Sequence, residues 1–212
     1  MVITFYGEGC FKLQSGDFTV LTDPFDNKIG LTPPRLKPDI ILKTLTPVSF
    51  ADQPINQLTN QLIYGPGEYN VANIDIAGFN LPKESSEKFL KTIYLLEMEE
   101  INVCFFGHLS EIPEPTILEH LEEIDLLFIP AGGPPFIEQK SAVKIIKQLQ
   151  PKIVIPCFFK IPGLKRPADN LEVFLEEFNG SKAERLSGQE KLVIKKKDLH
   201  DIKKTEITVL KP

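Results

Sequence analysis

Histidine is scarce in this chain, with three in 212 residues. His120 falls in a helical stretch and His200 in the C-terminal tail, which leaves His108 as the one histidine in a loop that follows a strand. Cysteine is equally sparse. Cys10, Cys104 and Cys157 sit in apolar surroundings and none belongs to a CxxC pair, which argues against a disulfide framework or a thiolate zinc site. No stretch approaches the roughly 18 uninterrupted apolar residues of a membrane span. The N-terminus has no basic segment ahead of an apolar run, so no signal peptide is expected and a cytoplasmic location is. Positive charge is in deficit: 24 Lys and Arg against 29 Asp and Glu give a net charge of −5, which disfavours nucleic acid or an anionic membrane as partner. The Lys195, Lys196, Lys197 run is followed by Asp198 and Asp201 and reads as a solvated face. The glycines at 65 and 67 and at 132 and 133 lack the strand–GxGxxG–helix or GxxxxGK[ST] context of a nucleotide site and read as turns.

What is present is an ordinary globular composition, 42% apolar and 25% charged, in a length that suits one sizeable domain. That domain is expected over 1–195, with a tail over 196–212 that carries a strand-like piece at 206–210. The first half reads as short strands at 2–6, 18–21, 39–42, 61–64 and 69–79, separated by Gly and Pro. Segments 91–97 and 101–106 read as a hairpin whose second strand is central, because it is apolar throughout. The second half alternates helix and strand. Helical spacing is read at 116–124, 138–150 and from 171 to a stop at Gly180, with Asp169 as a cap; strands fall at 125–130, 152–156 and 191–194. An antiparallel half followed by βαβ units predicts an α/β fold of two mixed sheets with outer helices. Chemistry is then expected where strand ends spill into loops, at 7–10, 22–24, 44–51, 107–110, 131–135 and 157–160.

Those exits carry a resemblance. Segments 5–11, 22–25, 65–69, 103–110, 125–133 and 151–159, in their order and spacing, resemble the metallo-β-lactamase superfamily, in particular its branch of small Zn-dependent hydrolases related to ascorbate-phosphate lactonase. The resemblance implies a four-layer αβ/βα sandwich with metal at one edge between the sheets. It also implies histidines and a carboxylate that converge on one or two divalent ions, which lower the pKa of a bound water and polarise the scissile bond. In this chain the places of the His-x-His-x-Asp-His loop hold Leu45, Pro47, Ser49 and Phe50. Glu8 stands for the histidine after the first strand, His108 for the aspartate after the central strand, and Phe158 for the last histidine. A further histidine of the family falls near Lys83. Every expected ligand position has changed type.

Glu8, Asp23 and His108 remain as chemistry-bearing groups, with Lys83 and the thiols of Cys10 and Cys157 as further candidates. One reading lets Glu8, Asp23 and His108 hold a single ion as an O,O,N set. The other makes Asp23 an anchor for backbone amides and Glu8 and His108 an ion pair, since a buried carboxylate needs a partner. The thiols read as small core hydrophobes, and the pairs Phe105, Phe106 and Phe158, Phe159 as core side chains on opposite faces. The expected function is a catalytically inactive member of this fold that binds a small molecule or a protein, without metal cofactor and with homo-oligomerisation as a further expectation. One alternative is a hydrolase with a rearranged mononuclear site, dependent on zinc or another divalent metal; another is a metal-free acid–base site built on Glu8 and His108.

Overall fold

The computed structural model describes residues 1–50, 61–179 and 188–212, apart from the side chains of Phe50 and Gln61. The first sheet is built from β1 (Val2–Gly7), β2 (Cys10–Ser15), β3 (Phe18–Thr22), β4 (Ile40–Lys43), β6 (Gln61–Tyr64) and β13 (Lys191–Val193), in the order β13-β1-β2-β3-β4-β6. The second contains β7 (Gly67–Val71), β8 (Ile74–Asn80), β9 (Phe89–Met98), β10 (Ile101–Phe105), β11 (Leu126–Pro130), β12 (Ile153–Cys157) and β14 (Glu206–Ile207), in the order β14-β12-β11-β10-β9-β8-β7. The short β5 (Leu45–Pro47) branches off by pairing with β9. Both sheets are mixed: β3, β4 and β6 run parallel in the first, as do β10, β11, β12 and β14 in the second.

Period-two alternation assigns each side chain to a layer. Ile3 and Phe5 of β1, with Phe11 and Leu13 of β2, meet Val103 and Phe105 of β10 and Leu126 and Phe128 of β11 in one apolar cluster between the sheets. The intervening residues Cys104, Phe106, Leu127, Ile129 and Val154 enter a second cluster. There they pack against α1 (Pro115–Leu118), α2 (Gln139–Leu149) and α3 (Leu171–Asn179) through Ile117, Ile145, Ile146 and Phe174. Strands β10 to β12 are covered on both faces, which is why they read as unbroken apolar runs. The α/β architecture with two mixed sheets is the one the resemblance implied.

Several elements differ from the sequence reading. The strand read at 69–79 is a hairpin, β7 and β8, turned at Ala72 and Asn73, both at positive φ. The helix read over 116–124 stops at Leu118, and Glu123 is at positive φ before the next strand. Strand β2 was not separately read. The tail contributes the short helix α4 (Lys196–Leu199) and edge strand β14, whose Ile207 pairs with Val154. The helix stop at Gly180 lies outside the described residues. Phe105 and Phe106 do face opposite layers, but Phe158 and Phe159 share the inter-sheet cluster because Phe158, at φ +55, has already left the strand.

Candidate functional site

The strand exits of both sheets converge on a cleft of about 210 Å³ lined by Glu8, Gly9, Asp23, Pro24, Phe25, Ile29, Lys43, Leu45, His108 and Phe158. Four of the positions that the resemblance marks as altered ligand places, Glu8, Leu45, His108 and Phe158, thus meet in one place. Pro47 and Ser49 are not among the lining residues, and Ser49 is exposed on the 3-10 turn after β5. The side chain of Phe50 lies outside the described residues. Lys83 does not reach the cleft; its ammonium pairs with Glu114 at 3.3 Å on the surface.

The loop after β1 is set by Thr22, whose hydroxyl donates to the Gly9 carbonyl at 2.6 Å and accepts from Phe11 N–H at 3.0 Å. Asp23 then leaves β3 at φ +36 and anchors the end of β4. Its Oδ1 accepts the Thr44 amide at 2.8 Å and its Oδ2 the Thr44 hydroxyl at 2.6 Å. This is the amide-anchoring role read for Asp23. His108 sits just past β10, where Gly107 takes φ +48 against Thr44. Its Nδ1 lies 2.8 Å from the Thr44 hydroxyl, and its backbone N–H donates to the same oxygen at 3.3 Å. A hydroxyl carries one proton, and a carboxylate can only accept. Thr44 therefore donates to Asp23 and accepts from His108, which places the imidazole proton on Nδ1.

The expected ion pair between Glu8 and His108 is not formed. Glu8 is held instead by Arg166, which sequence reasoning missed: Nε donates to Oε2 and Nη2 to Oε1, each at 3.0 Å. The guanidinium is a stronger partner than imidazole because its two donors match both carboxylate oxygens. Arg166 also donates to the carbonyls of Phe158 at 2.8 Å and Pro167 at 2.7 Å and lies 4.8 Å from the Phe136 ring centroid. It thereby ties three loops to one another. Phe158 is buried, with its ring centroid 4.3 Å from that of Phe136 and 4.9 Å from that of His108. Gly9 is required beneath it, since a β-carbon there would lie 2.6 Å from the Phe158 ring.

Among the described residues, no group of three or more His, Cys, Asp or Glu side chains is arranged to hold a metal ion. The three thiols are buried and free, and burial pushes each well above its ordinary pKa; the Asp23 charge adds to this for Cys10 and Cys157. They match the core reading and lack the thiolate character of a nucleophile. Burial lowers the His108 pKa from 6.5; Asp23 and Glu8 oppose the shift, while Lys91 and Arg166 reinforce it. A depressed value means that the unfolded chain binds the proton first, so stability falls as pH drops below about 6.5 toward the folded value. The urea midpoint of the protein is expected to fall more between pH 7 and pH 5.5 than that of His108→Gln. Equal slopes would count against the shift.

Comparison with other proteins places this geometry. The chain is 21% identical over 199 residues to a UPF0173 metal-dependent hydrolase of Listeria monocytogenes, covering 75% of this chain and 85% of that protein. It is 22% identical over 227 residues to a namesake from Lysinibacillus sphaericus, covering 91% and 99%. Its fold is similar to that of a Thermotoga maritima protein proposed to be a Zn-dependent hydrolase of the metallo-β-lactamase superfamily, with a TM-score of 0.76, 26% identity and coverage of 99% and 97%. A metallo hydrolase from Ignicoccus hospitalis shares the fold at a TM-score of 0.63 and 15% identity, over 92% of this chain and 99% of that one. Among the described residues no helix is long and apolar enough to cross a membrane. The profile of the β-lactamase superfamily domain family matches residues 2–158, the greater part of the chain, and the protein belongs to that family.

Proposed function

We propose that this chain is a metal-free member of the metallo-β-lactamase fold whose former metal cleft binds a small molecule. The observation that carries the reading is the occupancy of the donor atoms. Both oxygens of Glu8 are taken by Arg166, both oxygens of Asp23 by Thr44, and Nδ1 of His108 by Thr44. Leu45 and Phe158 bring no donor at all. A divalent ion could meet the open Nε2 of His108, but to add carboxylate ligands it would have to compete with the bidentate guanidinium on Glu8 and the two Thr44 hydrogen bonds on Asp23, so these residues do not fit the family's metal. The cleft sets Glu8, Asp23, Lys43 and His108 beside apolar Phe25, Ile29, Leu45 and Phe158, so it offers both polar contacts and apolar surface, and its volume restricts the ligand to a small one. A net charge of −5 supports a neutral or cationic partner over nucleic acid or an anionic membrane surface.

The second reading, a metal-dependent hydrolase, draws its support from the names of the Listeria and Lysinibacillus relatives. It would need Glu8 and Asp23 to leave their present partners and meet Nε2 of His108 around one ion. Elemental analysis of protein purified without chelator separates the two. Zinc, manganese and iron are each expected well below one equivalent. One equivalent of any of them, lost in His108→Ala, would replace the first reading with the second.

A further inference from the structure

We propose that Asp23, Thr44 and His108 form a metal-free relay that presents Nε2 of His108 to the cleft as a proton acceptor for a small ligand bearing an O–H or N–H group. The inference rests on the reading of the cleft as free of metal and adds a chemistry to it. Three observations carry it. The Thr44 hydroxyl, committed to Asp23 as donor, holds His108 in the tautomer protonated on Nδ1. That leaves Nε2 with a lone pair and no partner among the described residues. The only sealed side-chain polar atom without a partner among those residues is Thr46 Oγ1, so Nε2 opens to space, and His108 lines the cleft.

The Phe158 ring, at 62° to the imidazole, and that of Phe136, at 63°, hold it from the sides. A base so fixed loses little orientation when it acts. In the proton transfer, the O–H or N–H bond of the ligand breaks, its electron pair stays on the ligand, and a bond forms from hydrogen to Nε2. The resulting imidazolium keeps its Nδ1–H on Thr44, and Asp23 Oδ2, 3.7 Å from Nδ1, supplies the compensating charge. The division of roles follows that of a catalytic triad, in which a buried acid fixes the tautomer and supports the charged imidazole. Here a hydroxyl is interposed. Of the three, His108 takes the ligand's proton; Asp23, which also lines the cleft, and Thr44 act through it as positioning residues. A purely structural anchor would be complete with Asp23 and the Thr44 amide and would have no use for an open imidazole nitrogen.

Long-range proton–nitrogen NMR on labelled protein at pH 7 tests the relay without knowledge of the ligand. His108 is expected to show a protonated Nδ1 and an unprotonated Nε2, and Thr44→Ser to preserve that pattern. In Thr44→Val, which keeps the shape and removes the hydroxyl, the tautomers are expected to mix. Carbethoxylation by diethyl pyrocarbonate, followed at His108 by peptide mass spectrometry with His120 and His200 as internal references, is expected to slow about twofold in Thr44→Val, because a tenfold change in the tautomer ratio, the scale of one lost hydrogen bond, leaves Nε2 unprotonated in about half of the molecules. A proton on Nε2 in the wild-type protein would overturn the relay and leave the metal-free cleft standing. A change at Nε2 that saturates at one equivalent of zinc and reverses with chelator would overturn the metal-free reading and the relay with it. The wild-type tautomer decides the question even if Thr44→Val fails to fold.

Discussion

Replacing Gly107 with alanine is expected to lower the unfolding temperature by about 10 °C, corresponding to about 3–4 kcal/mol for a chain of this size. Two costs add. The glycine stands at φ +48, where a β-carbon carries a penalty of about 1 kcal/mol, and that carbon would fall 2.0 Å from Oγ1 and 2.3 Å from Cβ of Thr44. Thr44 is poorly placed to give way, because its hydroxyl and amide are bound to Asp23 and its carbonyl accepts from Thr92 N–H. Gly16→Ala isolates the first cost: its φ is +55, with nothing within 4 Å of the added carbon. That variant is expected to lose about 1 kcal/mol. Thermal unfolding of the pair measures the difference, and comparable losses would show that Thr44 yields.

Removing the Arg166 guanidinium is expected to cost about 3 kcal/mol, because it leaves Glu8 largely buried with its partner gone. In Arg166→Leu, the carbonyls of Phe158 and Pro167 lose a donor as well, and the Phe136 ring loses the cation beside it. The companion Glu8→Met/Arg166→Leu variant removes both charges together and is expected to recover more than half of the loss, since most of it belongs to the stranded carboxylate. Denaturant unfolding of the single and double variants gives the coupling. A double variant no more stable than Arg166→Leu would mean that the guanidinium acts through the Phe158 loop and not through Glu8.

The parts legible from sequence are those where one physical constraint dominates. Strands β10 to β12 must be apolar on both faces, so their runs announce themselves. β2 is legible in principle, since Phe11 and Leu13 alternate with Lys12 and Gln14, but the turns at the glycines on either side leave only a short segment between them, to which the sequence reading assigns no strand. The β7–β8 hairpin merged into one strand because Ala72 and Asn73 make the turn without a glycine. At the cleft, the changed ligand positions led to Glu8 and His108 but gave no sign of their partners. Arg166 is 158 residues from Glu8, and no spacing rule connects them. Thr44 lies between β4 and β5, and its role depends on a hydroxyl that lies within reach of both Asp23 and His108 only after two sheets have packed. The resemblance puts Glu8 and His108 at neighbouring ligand places, and charge compensation pairs them; the geometry instead matches the carboxylate to a two-pronged donor and the imidazole to a hydroxyl.

The pairing of β13 with β1 joins Val2 to Val193, and that of β14 with β12 joins Ile153 to Glu206. The first of these makes β1 wait for a strand synthesised about 190 residues after it. Until residue 193 has been made, β1 has a free edge beside β2, open to pairing with any other extended segment. Contacts so remote in sequence carry a large loop-closure cost before they repay it, so the first sheet is expected to complete slowly and late, after the βαβ units of the second have begun to pack. Closing that edge leaves the three-residue β13 as the sheet's border in place of the six-residue β1, a shorter template for pairing with a neighbouring chain.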